Sequence, residues 1–414
     1  MKRLLSHEIG RGKLPVAVLA IVALAVALRV GFVSTLEEDL YWPDPHYYDQ
    51  IAWRIASGEP IATGDPKGAA VLRAPLQAFV MAVPYAVAGH SYRAAYLFQA
   101  FLGGLVPFLV FLIGRRLRGQ GVGLLAALTA CVYPYYIYNS GALYDTQTTT
   151  ILILLAAYLA VVSWQRPRPI LSAAEGCALG LLVLSRSITM ALVPFAVLWS
   201  LRGPHRAVHA ALVAVLAVAV VAPWTVRNYA VTGEFIPVSV GGGKEFLYGN
   251  SPLATASSQS SIGLPPDLRN IPAGTGYAEA DRIFLDRGLE YVKQDPGRAV
   301  RLYFAKLANL YRFYPSTQTE NRFTSSRTKL ISILSYGPVF LLALVGIVLE
   351  RRRWRSYTPL LATIAVFTFV YPVFTTNVRY RLPIDALLIV FCSVALASLA
   401  SRVSPRMARC FALE

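Results

Sequence analysis

The 414-residue sequence is poor in charge, in acidic residues and in cysteine. Only 15% of its residues are charged while 56% are hydrophobic, and the mean hydropathy is +0.50. That balance excludes an ordinary soluble domain, which carries about a quarter charged residues. The 22 acidic residues are outnumbered by 39 basic ones, giving a net charge of +17. In a soluble chain such an excess points to nucleic acid, but here the basic residues stand in short clusters between apolar runs, the pattern of membrane topology. No nucleic acid is expected as a partner. The four cysteines, Cys131, Cys177, Cys392 and Cys410, have no metal-ligand spacing, and the first three lie inside apolar runs, so neither a disulfide framework nor a zinc site is implied. Mitochondrial, ER-retention and lipidation signals are absent, as are a repeat of fixed period and an inverted repeat of the transporter kind.

What the sequence has in abundance is apolar stretches long enough for a hydrocarbon core, which takes about 20 helical residues. Ten spans are expected, at about 14–34, 94–114, 121–139, 146–163, 170–186, 188–201, 207–225, 330–349, 357–375 and 383–401. The first follows Lys2, Arg3, Arg11 and Lys13, is longer than a signal-peptide core, and is read as a retained anchor. The basic clusters Arg115/Arg116/Arg118, Arg166/Arg168, Arg202/Arg206, Arg351/Arg352/Arg353/Arg355 and Arg402/Arg406/Arg409 are expected on the cytoplasmic side. If the apolar segment Pro75 to Gly89 crossed as well, the clusters from Arg115 onward would flip outward. That segment is short, contains Pro84, and is expected to lie at the outer interface.

The expected fold is thus an all-α polytopic membrane protein with about ten transmembrane helices, outer juxtamembrane helices and both termini inside. It divides into an N-terminal transmembrane catalytic module (1–225) with a first outer loop at 35–93, a large outer loop (226–329) and C-terminal transmembrane helices (330–414). The larger loop begins with turn-forming residues, Gly241 to Gly243, Ser257, Ser258, Ser260, Ser261, Pro265 and Pro266. It closes with two amphipathic helices over Asp281 to Tyr311, broken at Asp295 and Pro296.

In this topology Asp44, Asp145, Arg186, Arg227, Arg379 and Arg381 converge on the outer side. An unpaired charge costs roughly 2.5–3.5 kcal/mol at mid-bilayer, so such residues mark sites or pathways unless they snorkel to the interface. Carboxylates can take a proton or hold a metal, and arginines grip phosphate bidentately. Together these groups suggest a phosphate-bearing lipid substrate. Asp145, in front of a span, could equally be an N-cap, and Asp385, four residues after Arg381, could pair with it. Glu175, near the inner face, is expected to have a structural role. Tyr133, Tyr135, Tyr136 and Tyr138 fit an aromatic belt, or a groove for sugar or isoprenoid.

The run Asp44-Pro45-His46-Tyr47-Tyr48-Asp49 resembles the first outer loop of the GT-C membrane glycosyltransferases that use polyprenyl-phosphate sugars, among them protein O-mannosyltransferases and aminoarabinose lipid A transferases. Pro45 stands where many relatives carry a second acidic residue. Further matches follow in family order: Arg73-Ala74-Pro75; Ser140 to Asp145; Leu184-Ser185-Arg186, with Ser187 in place of a proline; Pro223-Trp224-Thr225-Val226-Arg227-Asn228-Tyr229; and Arg379-Tyr380-Arg381-Leu382-Pro383. The resemblance implies a glycosyltransferase, hexosyl- or pentosyl-transferring and inverting, that moves a sugar from a polyprenyl-phosphate donor to a lipid, glycan or protein acceptor at the outer face of a cell membrane. It implies Asp44 and Asp145 as catalytic carboxylates, and Tyr48, Arg73, Arg186, Arg227, Asn228, Tyr229, Arg379 and Arg381 as substrate-binding residues. A divalent metal is left open. Two other readings stay open, a ligase for lipid-linked glycans and a lipid or solute transporter.

Overall fold

A computed structural model of the chain describes residues 15–41, 43–61, 69–201, 205–257, 263–265, 268, 274–314 and 325–403. Of the residues singled out above, Lys2, Arg3, Arg11, Lys13, Arg202, Ser258, Ser260, Ser261, Pro266, Arg406, Arg409 and Cys410 lie outside this set. The described residues form helices in the order α1 Val16–Val33, α2 Pro43–Ser57, α3 Ala69–Leu72, α4 Leu76–Ala88, α5 Tyr92–Gly103, α6 Leu105–Arg118, α7 Gln120–Val132, α8 Pro134–Asn139, α9 Thr146–Gln165 and α10 Pro169–Ser185. A 3₁₀ turn, Ser187–Ala191, leads into α11 Leu192–Ser200, followed by α12 Arg206–Thr232, α13 Gly242–Asn250, α14 Tyr277–Gln294, α15 Pro296–Leu310, α16 Ser326–Leu349, α17 Trp354–Val370 and α18 Val378–Val403.

All ten expected apolar runs are helical. Seven stretches are long and apolar enough to cross a membrane: α1, α5 with α6, α9, α12, α16, α17 with its flanking 3₁₀ turns, and α18. The other three runs form the shorter apolar helices α7, α10 and α11, and the 13-residue α4 covers the segment expected not to cross. The protein is therefore a multi-pass membrane protein. One run is broken by a proline and another runs longer than expected, each for a local reason. The third breaks at Tyr133, which is extended (φ −67°, ψ 113°) because the ring of Pro134 disfavours helix in the residue before it. The seventh continues past its expected end at 225 to Thr232, where Gly233 closes it in the left-handed region (φ 72°). Trp224 to Tyr229 accordingly sit on the last turns of α12 instead of opening a loop.

The core is built around α18. Every residue from 381 to 395 is buried, and the helix packs against α7, α9 and α16. A helix apolar on all sides needs such enclosure. By contrast, α1 and α12 are mostly open on their outer faces, as helices facing lipid are. Close approach is made by small residues, since lipid supplies no hydrophobic drive between helices. A Cβ on Gly123 of α7 would lie 2.7 Å from the Phe111 carbonyl oxygen of α6, and one on Gly180 of α10 would lie 2.7 Å from that of Ala217 in α12. Gly346 of α16 similarly lies directly on the Phe391 carbonyl of α18. At one end of the bundle, Arg118 and Glu350 form a buried ion pair that joins the ends of α6 and α16.

The described residues between α1 and α5 and between α12 and α16 fold onto the opposite end. Asp295 ends α14 and caps α15, accepting from the Arg298 N–H at 2.7 Å with Pro296 in the first turn, so the expected break is an N-cap. Carboxylates also anchor the neighbouring helix starts. Asp281 accepts from the backbone of Gly243 (3.0 Å) and Lys244 (3.1 Å), and Glu234 from that of Ala278 (3.1 Å).

Within α16 two glycines give a matched test. Gly346→Ala should lose about 1–3 kcal/mol by forcing α16 off α18, whereas Gly337→Ala, with nothing within 4 Å of the added carbon, should be neutral or stabilising by up to ~1 kcal/mol. Thermal unfolding in detergent distinguishes them; equal melting temperatures would mean that the α16–α18 contact is not close-packed.

Candidate functional site: an arginine-bridged carboxylate at one end of the helices

Asp44 lies in the first turn of α2, where a helix start favours a negative charge. One oxygen accepts from Nη2 of Arg73 at 3.0 Å and the other from Nη2 of Arg379 at 3.3 Å. Arg73 stands just after α3, its guanidinium 5.3 Å from the centre of the Tyr47 ring, and Arg379 is on the first turn of α18 with its guanidinium 3.7 Å above the Tyr144 ring. Burial alone would raise the Asp44 pKa, but Arg379 and Arg73 outweigh it and hold the carboxyl below its ordinary 3.8.

A second pair stands alongside. Both oxygens of Asp145 accept from Arg186, one at 2.7 Å from Nε and the other from Nη2. This is the bidentate geometry that suits a guanidinium to a carboxylate. Asp145 occupies the N-cap position of α9 but makes no side-chain cap bond, so its carboxylate serves Arg186 instead. Arg186 also donates to the Tyr371 hydroxyl at 3.1 Å. The two ion pairs meet at Tyr380, whose ring centre lies 5.5 Å from the Arg186 guanidinium and 5.4 Å from that of Arg379. Tyr380 in turn stacks on Tyr371 at 5.1 Å. Tyr48, buried one turn after Asp44, has its pKa raised by burial and by the fields of Asp145 and Asp44, so it keeps its proton.

The structure thus brings together Asp44, Tyr48, Arg73, Asp145, Arg186 and Arg379, drawn from five chain segments. Four of the singled-out residues stand elsewhere. Arg227 lies over the Trp224 ring at 4.8 Å and donates to the carbonyl of Ile61 and to Asn228. Asn228 is fully buried and ties α12 to the returning chain, donating to the carbonyls of Ile236 (2.9 Å) and Val238 (3.2 Å). Trp224 reinforces this from its indole N–H to Val238 at 2.9 Å. Tyr229 is 60% exposed. Arg381 points into the core, where it is 0% exposed and donates to Asp385 at 3.4 Å and to the Arg312 carbonyl, and Tyr336 covers its guanidinium. In this fold Trp224 and Asn228 clasp α12 to the returning chain, and Arg381 forms an internal ion pair.

Reading the sequence missed Glu245, Thr375 and Tyr371. Glu245, on α13, accepts from the Thr375 hydroxyl at 2.8 Å and lies within electrostatic reach of Arg73 and Tyr380. Nothing in its local sequence distinguishes it from a solvated acid. Arg29 was missed as well, although an arginine inside an apolar run is a visible signal. It is fully buried in α1 and donates to the Ala25 carbonyl at 2.9 Å. Among the described residues no three His, Cys, Asp or Glu side chains gather as a metal-binding group. The two site carboxylates are committed to arginines, a donor set that does not fit a divalent ion.

Beside Arg379 opens a cavity of about 240 Å³, roughly the volume of eight waters. Phe32, Tyr135, Tyr138, Tyr144, Ile331 and Leu382 give it a largely apolar wall between α1, α8, α16 and α18. Arg379 borders this cavity, and its buried Nε has no hydrogen-bond partner among the described residues.

Residues 72–226 match the dolichyl-phosphate-mannose-protein mannosyltransferase family. The fold is similar to that of the Archaeoglobus fulgidus oligosaccharyltransferase AglB, solved in complex with an inhibitory peptide and a dolichol-phosphate. That match has 15% identity and a TM-score of 0.59 over 95% of this chain and 51% of that one. The apo form of the same enzyme gives 16% identity, the same coverage and a TM-score of 0.58. ArnT from Cupriavidus metallidurans, bound to undecaprenyl phosphate, gives 17% identity and a TM-score of 0.44 over 95% of this chain and 80% of that one. The chain spans about half the length of the archaeal enzyme, and no curated protein matches it. The resemblance read from the sequence is borne out at the level of fold: the chain folds like the archaeal oligosaccharyltransferase, a GT-C enzyme, and residues 72–226 match the mannosyltransferase family model.

Removing one arginine tests the electrostatics. Arg73→Met should cost about 1 kcal/mol at neutral pH, since both partners are about a third exposed to water. A depressed carboxylate pKa gives stability that is present above 3.8 and lost as the pH falls through the lower folded value. The cost should therefore shrink on going from pH 7 toward pH 3 in thermal melts; a constant difference would mean that Arg73 does not hold the Asp44 charge.

Proposed function

We propose that the protein is a glycosyltransferase that moves a sugar from a polyprenyl-phosphate carrier to an acceptor hydroxyl or amine at the outer face of a cell membrane. The observation that carries this reading is the ionised Asp44 bridged by two arginines, one of which, Arg379, borders an apolar cavity with a donor to spare. The family match and the fold support the chemistry, as does the presence of a dolichol-phosphate with the archaeal enzyme. The basic clusters at the opposite helix ends support the orientation, because short basic loops are kept on the cytoplasmic side.

In this reading the cavity takes the first isoprenoid units, and Arg379 and Arg73 receive the phosphate. The acceptor oxygen or nitrogen attacks the anomeric carbon, the bond from that carbon to the phosphate oxygen breaks, and the leaving lipid phosphate takes the electron pair. Arginines already in place stabilise that developing charge without reorganisation. The acceptor's proton passes to Asp44. While both arginines hold it, Asp44 is a weak base; a phosphate that draws Arg379 away returns basicity to the carboxylate when donor is bound. Asp145 and Arg186 fix the wall behind Tyr380. A single displacement of this kind inverts the anomeric centre, and both the sugar and the acceptor type are left to experiment.

The test is release of free polyprenyl phosphate from labelled polyprenyl-phosphate sugars by purified protein with a membrane extract as the acceptor source. Asp44→Asn should lower kcat at least ~100-fold, the usual scale for losing a general base. Arg379→Gln should mainly raise KM for the donor. Undiminished release by Asp44→Asn would remove this carboxylate from the mechanism.

A further inference from the structure

Lys306 lies on the outer helix α15, 1% exposed, and among the described residues no carboxylate faces it. A buried ammonium without a counter-charge is expensive, so its surroundings need explaining. Its amine donates to two backbone carbonyls, Phe374 at 2.8 Å and Gly249 at 3.1 Å. Gly249 belongs to α13, which carries Glu245. Phe374 belongs to the linker between the 3₁₀ turn Tyr371–Val373 and α18, which leads to Arg379. Burial, with Arg298 nearby, brings the amine down to about 8. In its neutral form the amine still has two N–H groups for two carbonyls.

The linker has no regular structure of its own; Phe374 is at φ −102°, ψ −122°, and its buried carbonyls depend on side chains from elsewhere. Val373 accepts from Asn250 at 3.0 Å, and Thr376 accepts from Asn309 at 3.0 Å. Lys306 and Asn309 are three residues apart on one face of α15, and Tyr303 on that face donates to the Phe369 carbonyl at 3.1 Å. Of the three side chains on α15, Lys306 is the one that bonds to α13 and the linker at once. The two backbones approach so closely there that a Cβ on Gly249 would overlap the Phe374 carbonyl and come 3.3 Å from the Lys306 amine.

We infer that Lys306 is a positioning residue: its amine locks the Phe374–Asn377 linker to α13 and thereby sets where Arg379 meets Asp44 and an incoming phosphate. The residue touches neither Asp44 nor Arg379, so it acts through the backbone. Its effect on activity rests on the glycosyltransferase reading above, whereas its effect on the linker does not.

The experiment uses the full chain in nanodiscs and compares wild type with Lys306→Met, which keeps the stem and removes the donors, and Lys306→Gln, which retains an N–H pair on a shorter stem. Hydrogen–deuterium exchange in peptides covering 371–380 should become at least about tenfold faster in Lys306→Met, with α9 unchanged and Lys306→Gln intermediate. In the polyprenyl phosphate release assay, KM for the donor should rise about tenfold in Lys306→Met while kcat changes less than about threefold. Unchanged exchange at 371–380 overturns the proposal whatever the activity. Faster exchange with wild-type KM overturns the link to Arg379. Should the wild type release no polyprenyl phosphate, the functional reading falls and exchange alone decides the role of Lys306. If Lys306→Met does not fold, Lys306→Gln carries the same comparison.

Discussion

Asp44 reaches across 335 residues of sequence to Arg379 and, in the other direction, to Arg73. Without that carboxylate, two guanidinium groups would face each other at a membrane surface, close to a third on Arg186. Like charges that near one another are tolerated only when a counter-charge sits between them. The segment between α1 and α5, which carries Asp44, is therefore held against α18 by charge. The same contact places a carboxylate with a lowered pKa beside two guanidinium groups. Stability and the proposed chemistry draw on one arrangement.

Elsewhere the fold solves the problem that lipid sets for every polar group, and it does so locally. Arg381 is neutralised by Asp385 within the same helix, and Arg118 by Glu350 where two helix ends meet. Asn228 and Trp224 use their N–H groups on carbonyls of the chain that returns after α12. Irregular backbone at this depth is acceptable only when protein groups satisfy it, and the linker before α18 meets that condition through Lys306, Asn309 and Asn250. The outer helices α13 to α15 thus act as a frame for the linker that leads to Arg379. They are more than a cover over the bundle.

Much of the architecture was legible beforehand. Apolar length located all ten runs, because spanning a hydrocarbon core is a one-dimensional constraint, and Asp295-Pro296 marked the break between α14 and α15 as an N-cap does. The kinked third run was less visible, since Pro134 interrupts the helix without lowering hydropathy. The site was half legible. Asp44, Arg73, Asp145, Arg186 and Arg379 stood out as charges at outer helix ends in family order. Arg227 and Arg381 carried the same signals, yet α12 extends two turns further than its apolar run and turns Arg227 toward Ile61, while Arg381 falls on the core face of α18. Arg381 stands two positions after Arg379, which on a helix is about half a turn, so they cannot share a face.

Composition and hydropathy by themselves determined that the chain crosses a membrane many times and which helix ends carry its basic clusters. Those properties follow from summed transfer free energies along the chain, which are insensitive to partners. Which charges meet was decided only by the tertiary structure. An ion pair depends on distances of a few ångströms between segments hundreds of residues apart, and on helix phase, neither of which is written in any local stretch. Glu245 and Lys306 make the point most plainly. In sequence they are an acid and a lysine among many, and only the packing of α13 and α15 against the linker gives them partners.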